Sequence, residues 1–219
     1  MVIHAAGTVG GIVANSRQPL KFLLENLDMG RNIIYGADKA GVKKFLNLAS
    51  SCMYPRDHDT PLTEDMILTS ELEPTNEGYA LAKIACSGMC NYITRENSAF
   101  QYKTLIPCNI YGRRDKFTGD RAHMVPAVIQ RVVQAAASGK SELEIWGDGT
   151  SRREFMYAGD LAECIWQAVE RFDELPELMN VGVGVDYSVD DYYSVIAKVV
   201  GFKGTFKHDL TKPAYKANG

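Results

Sequence analysis

Short apolar runs alternate along the chain with longer stretches in which apolar residues recur three and four positions apart. That alternation predicts strand–helix–strand units built around a parallel sheet. An apolar run at 2–6 leads into Gly7, Gly10 and Gly11, and residues 20–40 carry helical spacing that stops at Gly41. A second strand is predicted at 45–49, a long helix at 79–93 after the turn-rich 74–78, and a third strand at 104–107. Further along, the pattern predicts a helix at 124–137, a strand at 143–146 and a strand-like run at 153–157. A helix at 161–172 takes Asp160 as its N-cap, a strand follows at 179–181, and a helix at 189–200 is closed by Gly201. The pattern of 202–219 decides nothing.

Composition narrows the class. The chain has 219 residues, 46% of them hydrophobic and 23% charged, with a formal net charge of −3. That length suits one to two compact domains, and the acidic balance argues against a nucleic-acid binder. No apolar run approaches the ~20 residues that span a bilayer, and no signal-peptide pattern follows Met1, so a cytoplasmic protein is expected. The odd count of five cysteines and the cytoplasmic context argue against a disulfide framework, and no CxxC pair signals a metal site beyond the half-site that Cys86 and Cys90 could offer. Cys86 and Cys90, four apart on a predicted helix, read as core residues.

The strongest chemical signal is Tyr79-Ala80-Leu81-Ala82-Lys83. At i and i+4 the phenol and the ammonium share one helix face. The ammonium is expected to favour the phenolate and lower the Tyr79 pKa, making Tyr79 a proton donor to a developing alkoxide. Ser50-Ser51-Cys52 ends a predicted parallel strand, where open α/β sheets bind their ligands. Gly7, Gly10 and Gly11 follow a strand, but their spacing differs from the dinucleotide fingerprint.

Taken together, the motifs resemble a known family. They are His4-Ala5-Ala6-Gly7, Val9-Gly10-Gly11, Ser50-Ser51-Cys52-Met53-Tyr54-Pro55 and Glu73-Pro74-Thr75-Asn76-Glu77-Gly78-Tyr79. Downstream come 107–112, His123-Met124-Val125-Pro126-Ala127 and the run 146–155. With Ser and Tyr-x-x-x-Lys about thirty residues apart, the chain resembles the extended short-chain dehydrogenase/reductases of the NAD-dependent epimerase/dehydratase family. Within them it is similar to the GDP-L-fucose synthases, from Val2 to about Lys212.

The resemblance implies a Rossmann-like, doubly wound α/β fold with a smaller substrate-binding region. It implies NADP(H)-dependent 3,5-epimerisation and 4-keto reduction of GDP-4-keto-6-deoxy-D-mannose. Cys52 and His123 would exchange the protons, Ser50 would hold the C4 oxygen, Tyr79 would protonate it, and Lys83 would tune Tyr79 and bind the nicotinamide ribose. A thiolate at Cys52 is expected to form more easily near Lys83. Leu48, Ala49, Ser50, Ser51, Pro107, Cys108, Asn109, Ile110 and His123 would line the cofactor site with Lys83. Arg131, Trp146 and Arg153 would face the GDP-sugar; from the residues alone, Arg131 is a helix-surface charge and Trp146 a core aromatic. The implied division is 1–118 and 153–184 for a partial NADP-binding domain, 119–152 and 185–219 for the substrate region. A homodimer through 20–40 and 79–93 is expected, with no nucleic-acid or membrane partner.

The sequence also departs from the family. It lacks counterparts of the opening strand, the glycine turn and the next two βα units, so the fold is expected to lack its first strands, leaving the 2–6 strand as a bare edge. Arg113-Arg114 replaces a Pro-His pair, and 214–219 departs from an expected Pro-Asp-Gly. Two alternatives stay open: a GDP-L-colitose-type synthase acting on a 3,6-dideoxy-4-keto sugar, and a non-catalytic fragment serving only as an assembly partner.

Overall fold

A computed structural model describes residues 1–57, 60–119 and 122–212, so the departure noted at 214–219 lies outside the described residues. In chain order the first half holds β1 (Val2–His4), α1 (Ile12–Arg17), α2 (Pro19–Lys39), β2 (Lys44–Leu48) and α3 (Glu77–Glu96). It continues through β3 (Gln101–Pro107), β4 (Asn109–Tyr111), α4 (Met124–Ala137) and β5 (Glu142–Trp146). The rest comprises β6 (Arg152–Arg153), β7 (Phe155–Tyr157), α5 (Ala158–Glu170), β8 (Leu178–Val181), β9 (Tyr187–Ser188), α6 (Val189–Val200) and β10 (Thr205–Asp209).

Strands β1, β2, β3 and β8 form one parallel sheet in the order β1-β2-β3-β8. Side chains alternate across it, as a strand's period of two requires. On one face Phe45 and Tyr102 pack with Ile34 and Ala37 of α2 and Cys86 and Cys90 of α3. On the other face Leu46, Leu48 and Leu105 meet Ala168 of α5. Helices therefore cover both faces, and the predicted α/β architecture stands. Cys86 and Cys90 are core residues, 3% and 1% exposed, and among the described residues no His, Cys, Asp and Glu cluster could hold a metal. Strand β1 is an edge of this sheet, with Ile3 exposed and His4 buried.

A second core lies away from the sheet. Val128 and Val132 of α4, Ile145 of β5 and Tyr193 and Ala197 of α6 are buried together. Strand β10 pairs in parallel with β5 and closes this core, within the stretch whose sequence pattern was uninformative. Only Phe206 of β10 packs inward, so the strand lacks the apolar signal that marks the others.

Local chemistry sets most boundaries. Helix α2 starts with Pro19 in its first turn, where a missing N–H costs nothing. Helix α6 is capped by the Ser188 hydroxyl, which accepts from the Asp191 N–H at 3.1 Å, and it ends at Gly201 with φ +80°. At Gly30 a side chain would overlap the Cys86 sulfur, so this glycine lets α2 and α3 approach closely.

Two expectations need correction. Helix α5 begins at Ala158 with Tyr157 at its N-cap, and Asp160 lies inside the first turn. There its carboxylate faces the positive helix end rather than capping it. The run 153–157 is two strands, β6 and β7, broken at Glu154. The Glu154 carbonyl accepts from Asn109 Nδ2 at 3.1 Å, and its carboxylate accepts the Gly184 N–H at 2.7 Å and also the Val183 N–H.

Candidate active site

The C-terminal ends of β2 and β3 open into a cleft of about 260 Å³. Ser50, Cys52, Tyr79 and His123 all line it, although 73 positions separate the first from the last in sequence (50 to 123). Three segments deliver them. Ser50 leaves β2 in an extended conformation, and its hydroxyl accepts the Cys52 N–H at 3.4 Å at the start of a 3₁₀ turn, Ser51–Met53. Tyr79 sits in the first turn of α3. His123 occupies the N-cap position of α4 without using its side chain as a cap. The end of β2 thus supplies a hydroxyl and a thiol, α3 a phenol and the start of α4 an imidazole.

Electrostatics in the cleft are set by burial. Burial pushes the Tyr79 phenol well above its ordinary value, the neighbouring Cys52 adds to this, and a hydrogen bond with Ser50 opposes it. Burial also raises the Cys52 thiol, outweighing the lowering by Ser50 and Lys83. At Cys52 Lys83 does favour the thiolate, as expected, but burial outweighs it. The raised Tyr79 overturns the expectation that Lys83 would lower its pKa. The reason is geometric. Lys83 is 7% exposed, and its Nζ donates to the Leu48 carbonyl oxygen at 3.0 Å. It stands 5.7 Å from the centre of the Tyr79 ring. Lys83 is itself lowered by burial. His123 is lowered from 6.5, first by burial, with Asp115 pulling the other way.

Of the other predicted positions, Ala49, Ser51, Pro107, Cys108, Asn109 and Ile110 line the cleft. Leu48 and Lys83 are not among the lining residues and are joined by their own hydrogen bond. Arg153 lines the cleft at 8% exposure, and burial lowers its guanidinium to about 10 despite the Glu73 carboxylate. A buried cation of this kind suits an anionic group such as a diphosphate.

The structure does not bring Arg131 and Trp146 into this cleft. Arg131 borders a separate depression with Lys140 and Glu144; it donates to the Tyr193 hydroxyl at 2.7 Å and to the Glu144 carbonyl. Trp146 donates its indole N–H to the Glu144 carboxylate at 2.9 Å and lies under the Lys212 ammonium.

Sequence reading missed part of the site. The glycine segment after β1 forms one rim through Val9, Gly10 and Gly11 and continues into α1. Asn26 ties this segment to α2: its Oδ1 accepts the Thr8 N–H and its Nδ2 donates to the Thr8 carbonyl, both at 2.9 Å. Asn15 holds it from the other side, donating to the Gly10 carbonyl at 2.6 Å. Asn76 also lines the cleft. Short polar residues beside glycines are the available signal, and it is indistinguishable from an ordinary loop without the fold.

Comparisons with known proteins agree with this fold. A GDP-L-colitose synthase from Yersinia pseudotuberculosis is 59% identical over 212 residues, covering 97% of this chain and 69% of that protein. A GDP-L-fucose synthase from Azorhizobium caulinodans is 47% identical over 213 residues, covering 97% of this chain and 68% of that protein. A solved structure of MlghC, a GDP-mannoheptose C4 reductase from Campylobacter jejuni with NADP bound, superposes with a TM-score of 0.84 at 26% identity, covering 94% of this chain and 71% of that one. The NAD dependent epimerase/dehydratase family model matches residues 1–182, and the chain belongs to that family.

Proposed function

We propose that this chain carries the catalytic cleft of an NADP(H)-dependent 3,5-epimerase/4-reductase that converts GDP-4-keto-6-deoxy-D-mannose to GDP-L-fucose. The observation that carries this reading is the convergence of Cys52 and His123 with Ser50 and Tyr79 on one cleft. A simple reductase needs only the hydroxyl pair and the lysine; a second acid–base pair serves proton exchange next to a ketone.

The chain's own groups divide the work. Ser50 and Tyr79 bind the C4 oxygen, and Tyr79, held protonated by burial, gives it a proton as the alkoxide develops. Cys52 and His123 stand as a thiol and a free imidazole at neutral pH, so the pair holds one exchangeable proton. One group removes a proton from carbon and the other returns one to the opposite face, which inverts the centre. Arg153 holds the diphosphate.

The residues also fit a nicotinamide cofactor. The buried Lys83 ammonium has three N–H donors and gives one to Leu48. Two remain for the hydroxyls of a ribose. Backbone and side chains at 107–110 complete that wall. When bound, NADPH supplies the hydride that reduces C4. The NADP-bound reductase of the same fold supports this assignment.

A colitose-type reaction on a GDP-linked 3,6-dideoxy-4-keto sugar is a second reading, favoured by the 59% identity to the Yersinia enzyme. The domain roles proposed with this reading are 1–118 and 153–184 for the cofactor and 119–152 and 185–219 for the sugar. A cytoplasmic homodimer through α2 and α3 fits their outward Leu20, Leu24, Leu81 and Tyr92; no helix among the described residues is long and apolar enough to cross a membrane. NADPH oxidation, followed with the 6-deoxy and the 3,6-dideoxy substrates in parallel, tests the reading. Turnover of the first supports fucose synthesis, preference for the second supports the colitose-type reaction, and turnover of neither contradicts both.

A further inference from the structure

Asn76 stands at the N-cap of α3, where an asparagine side chain ordinarily accepts a backbone N–H from the first turn. Here it caps nothing. Its Nδ2 instead donates to the Cys52 sulfur at 3.2 Å. Its Oδ1 is buried without a hydrogen-bond partner. Leaving a cap unmade and a carbonyl unpaired both cost stability, and unpaired buried polar atoms are rare in native folds. Asn15, which also lines the cleft, carries a second such atom in its Oδ1, while its Nδ2 is engaged by the Gly10 and Gly11 carbonyls. Two buried acceptors on one cleft call for a ligand rich in donors, and a sugar with free hydroxyls is such a ligand.

We propose that Asn76 is a positioning and binding residue: its amide N–H holds the Cys52 sulfur toward the cleft, and its free carbonyl accepts a hydrogen bond from a sugar hydroxyl beside the carbon whose proton Cys52 exchanges. The sugar-binding half rests on the proposed epimerase/reductase; the Asn76–Cys52 half does not. An N–H aimed at sulfur stabilises the thiolate more than the thiol. It acts against burial, which holds the thiol up. The other groups that act on this sulfur are Ser50 from the end of β2, Glu73 ahead of α3, and Tyr79 and Lys83 on α3. His123 and Arg153 face the same cleft from α4 and β6.

The test is the pH dependence of Cys52 alkylation by iodoacetamide, read peptide by peptide by mass spectrometry on the full chain. Asn76→Ala removes the donor, and Asn76→Asp keeps the shape but sets an anionic oxygen against the sulfur. Both are expected to move the alkylation midpoint upward, Asp further than Ala, so that Cys52 reacts about tenfold more slowly at neutral pH. Buried Cys86 and Cys90 report folding, because they stay unreactive while the core is intact. Unchanged midpoints in folded variants overturn the thiol half. In proton-exchange assays on the GDP-keto-sugar, Asn76→Asp, which keeps the acceptor, is expected to preserve KM better than Asn76→Ala. Equal KM for both variants and the parent overturns the sugar half. If the parent chain exchanges no proton at all, the epimerase reading fails while the alkylation result still stands.

Discussion

The Lys83 ammonium donates to the Leu48 carbonyl oxygen at 3.0 Å, which ties the second turn of α3 to the C-terminal end of β2. Together with the packing of Phe45 against Cys86 and Cys90, this bond holds the strand that leads to Ser50 against the helix that carries Tyr79. An ammonium has three donors, so two remain beside this bond. Lys83→Met is therefore expected to weaken NADPH binding by roughly 10- to 100-fold, the loss of one or two charge-assisted hydrogen bonds. Fluorescence titration of NADPH checks this, and unaltered affinity removes Lys83 from the cofactor site.

Tyr79 and Cys52 line one cleft, and the proposed reaction gives them separate half-reactions. Tyr79→Phe is expected to lower reduction by about 10²–10⁴-fold, the usual worth of a positioned general acid, while proton exchange next to the ketone persists. Cys52→Ser should do the converse: exchange falls, and a substrate already inverted is still reduced. Parallel assays of hydride transfer and isotope exchange separate the two. If both activities fall together in each variant, the division of labour is wrong.

His123 predicts the acid limb of the pH profile. Burial lowers it from 6.5, so it stays unprotonated down to a pH below that value. Below its folded pKa both members of the exchanging pair carry protons, and no base remains. Exchange is thus expected to fall with a midpoint under 6.5. The same shift bears on stability. The unfolded chain takes up this proton at higher pH than the folded one, so the contribution of His123 is full above 6.5 and is lost as pH falls through the folded value. A midpoint above 6.5 in the exchange profile would contradict the burial argument.

Packing between α2 and α3 makes a prediction that involves no chemistry. Gly30→Ala forces a methyl against the Cys86 sulfur and is expected to cost about 1–3 kcal/mol. On the same helix Gly36 has open space around it, so Gly36→Ala should stabilise by roughly 0.4–1 kcal/mol. Thermal unfolding of the two variants measures both. Equal effects would mean that the helices do not meet at Gly30.

Much of this was legible in the sequence, for particular reasons. The bounds of α4 and α6 follow from strong helical periodicity, and Gly201 ends α6 as its position suggested. Ser50, Cys52 and Tyr79 could be paired because a strand end and a helix start announce themselves locally. Strand β10 could not be read, since four of its five residues carry no inward apolar side chain. Helix α1 is six residues long and follows glycines, which hides any periodicity. The protonation states could not be read either. Spacing put Lys83 on the face of Tyr79, but where its ammonium points depends on Leu48, a residue 35 positions away. Burial, which decides the Cys52 and Tyr79 directions, belongs to the folded cleft alone.

The central claim is that one cleft both exchanges protons beside a ketone and reduces that ketone. The most direct test is mass spectrometry of GDP-4-keto-6-deoxy-D-mannose incubated with the chain and NADPH in heavy water. The account predicts a reduced GDP-deoxyhexose carrying carbon-bound deuterium at the inverted centres, with deuterium but no reduction in Tyr79→Phe. A reduced product without deuterium would contradict the roles of Cys52 and His123, and an unchanged substrate mass would contradict the proposed reaction altogether.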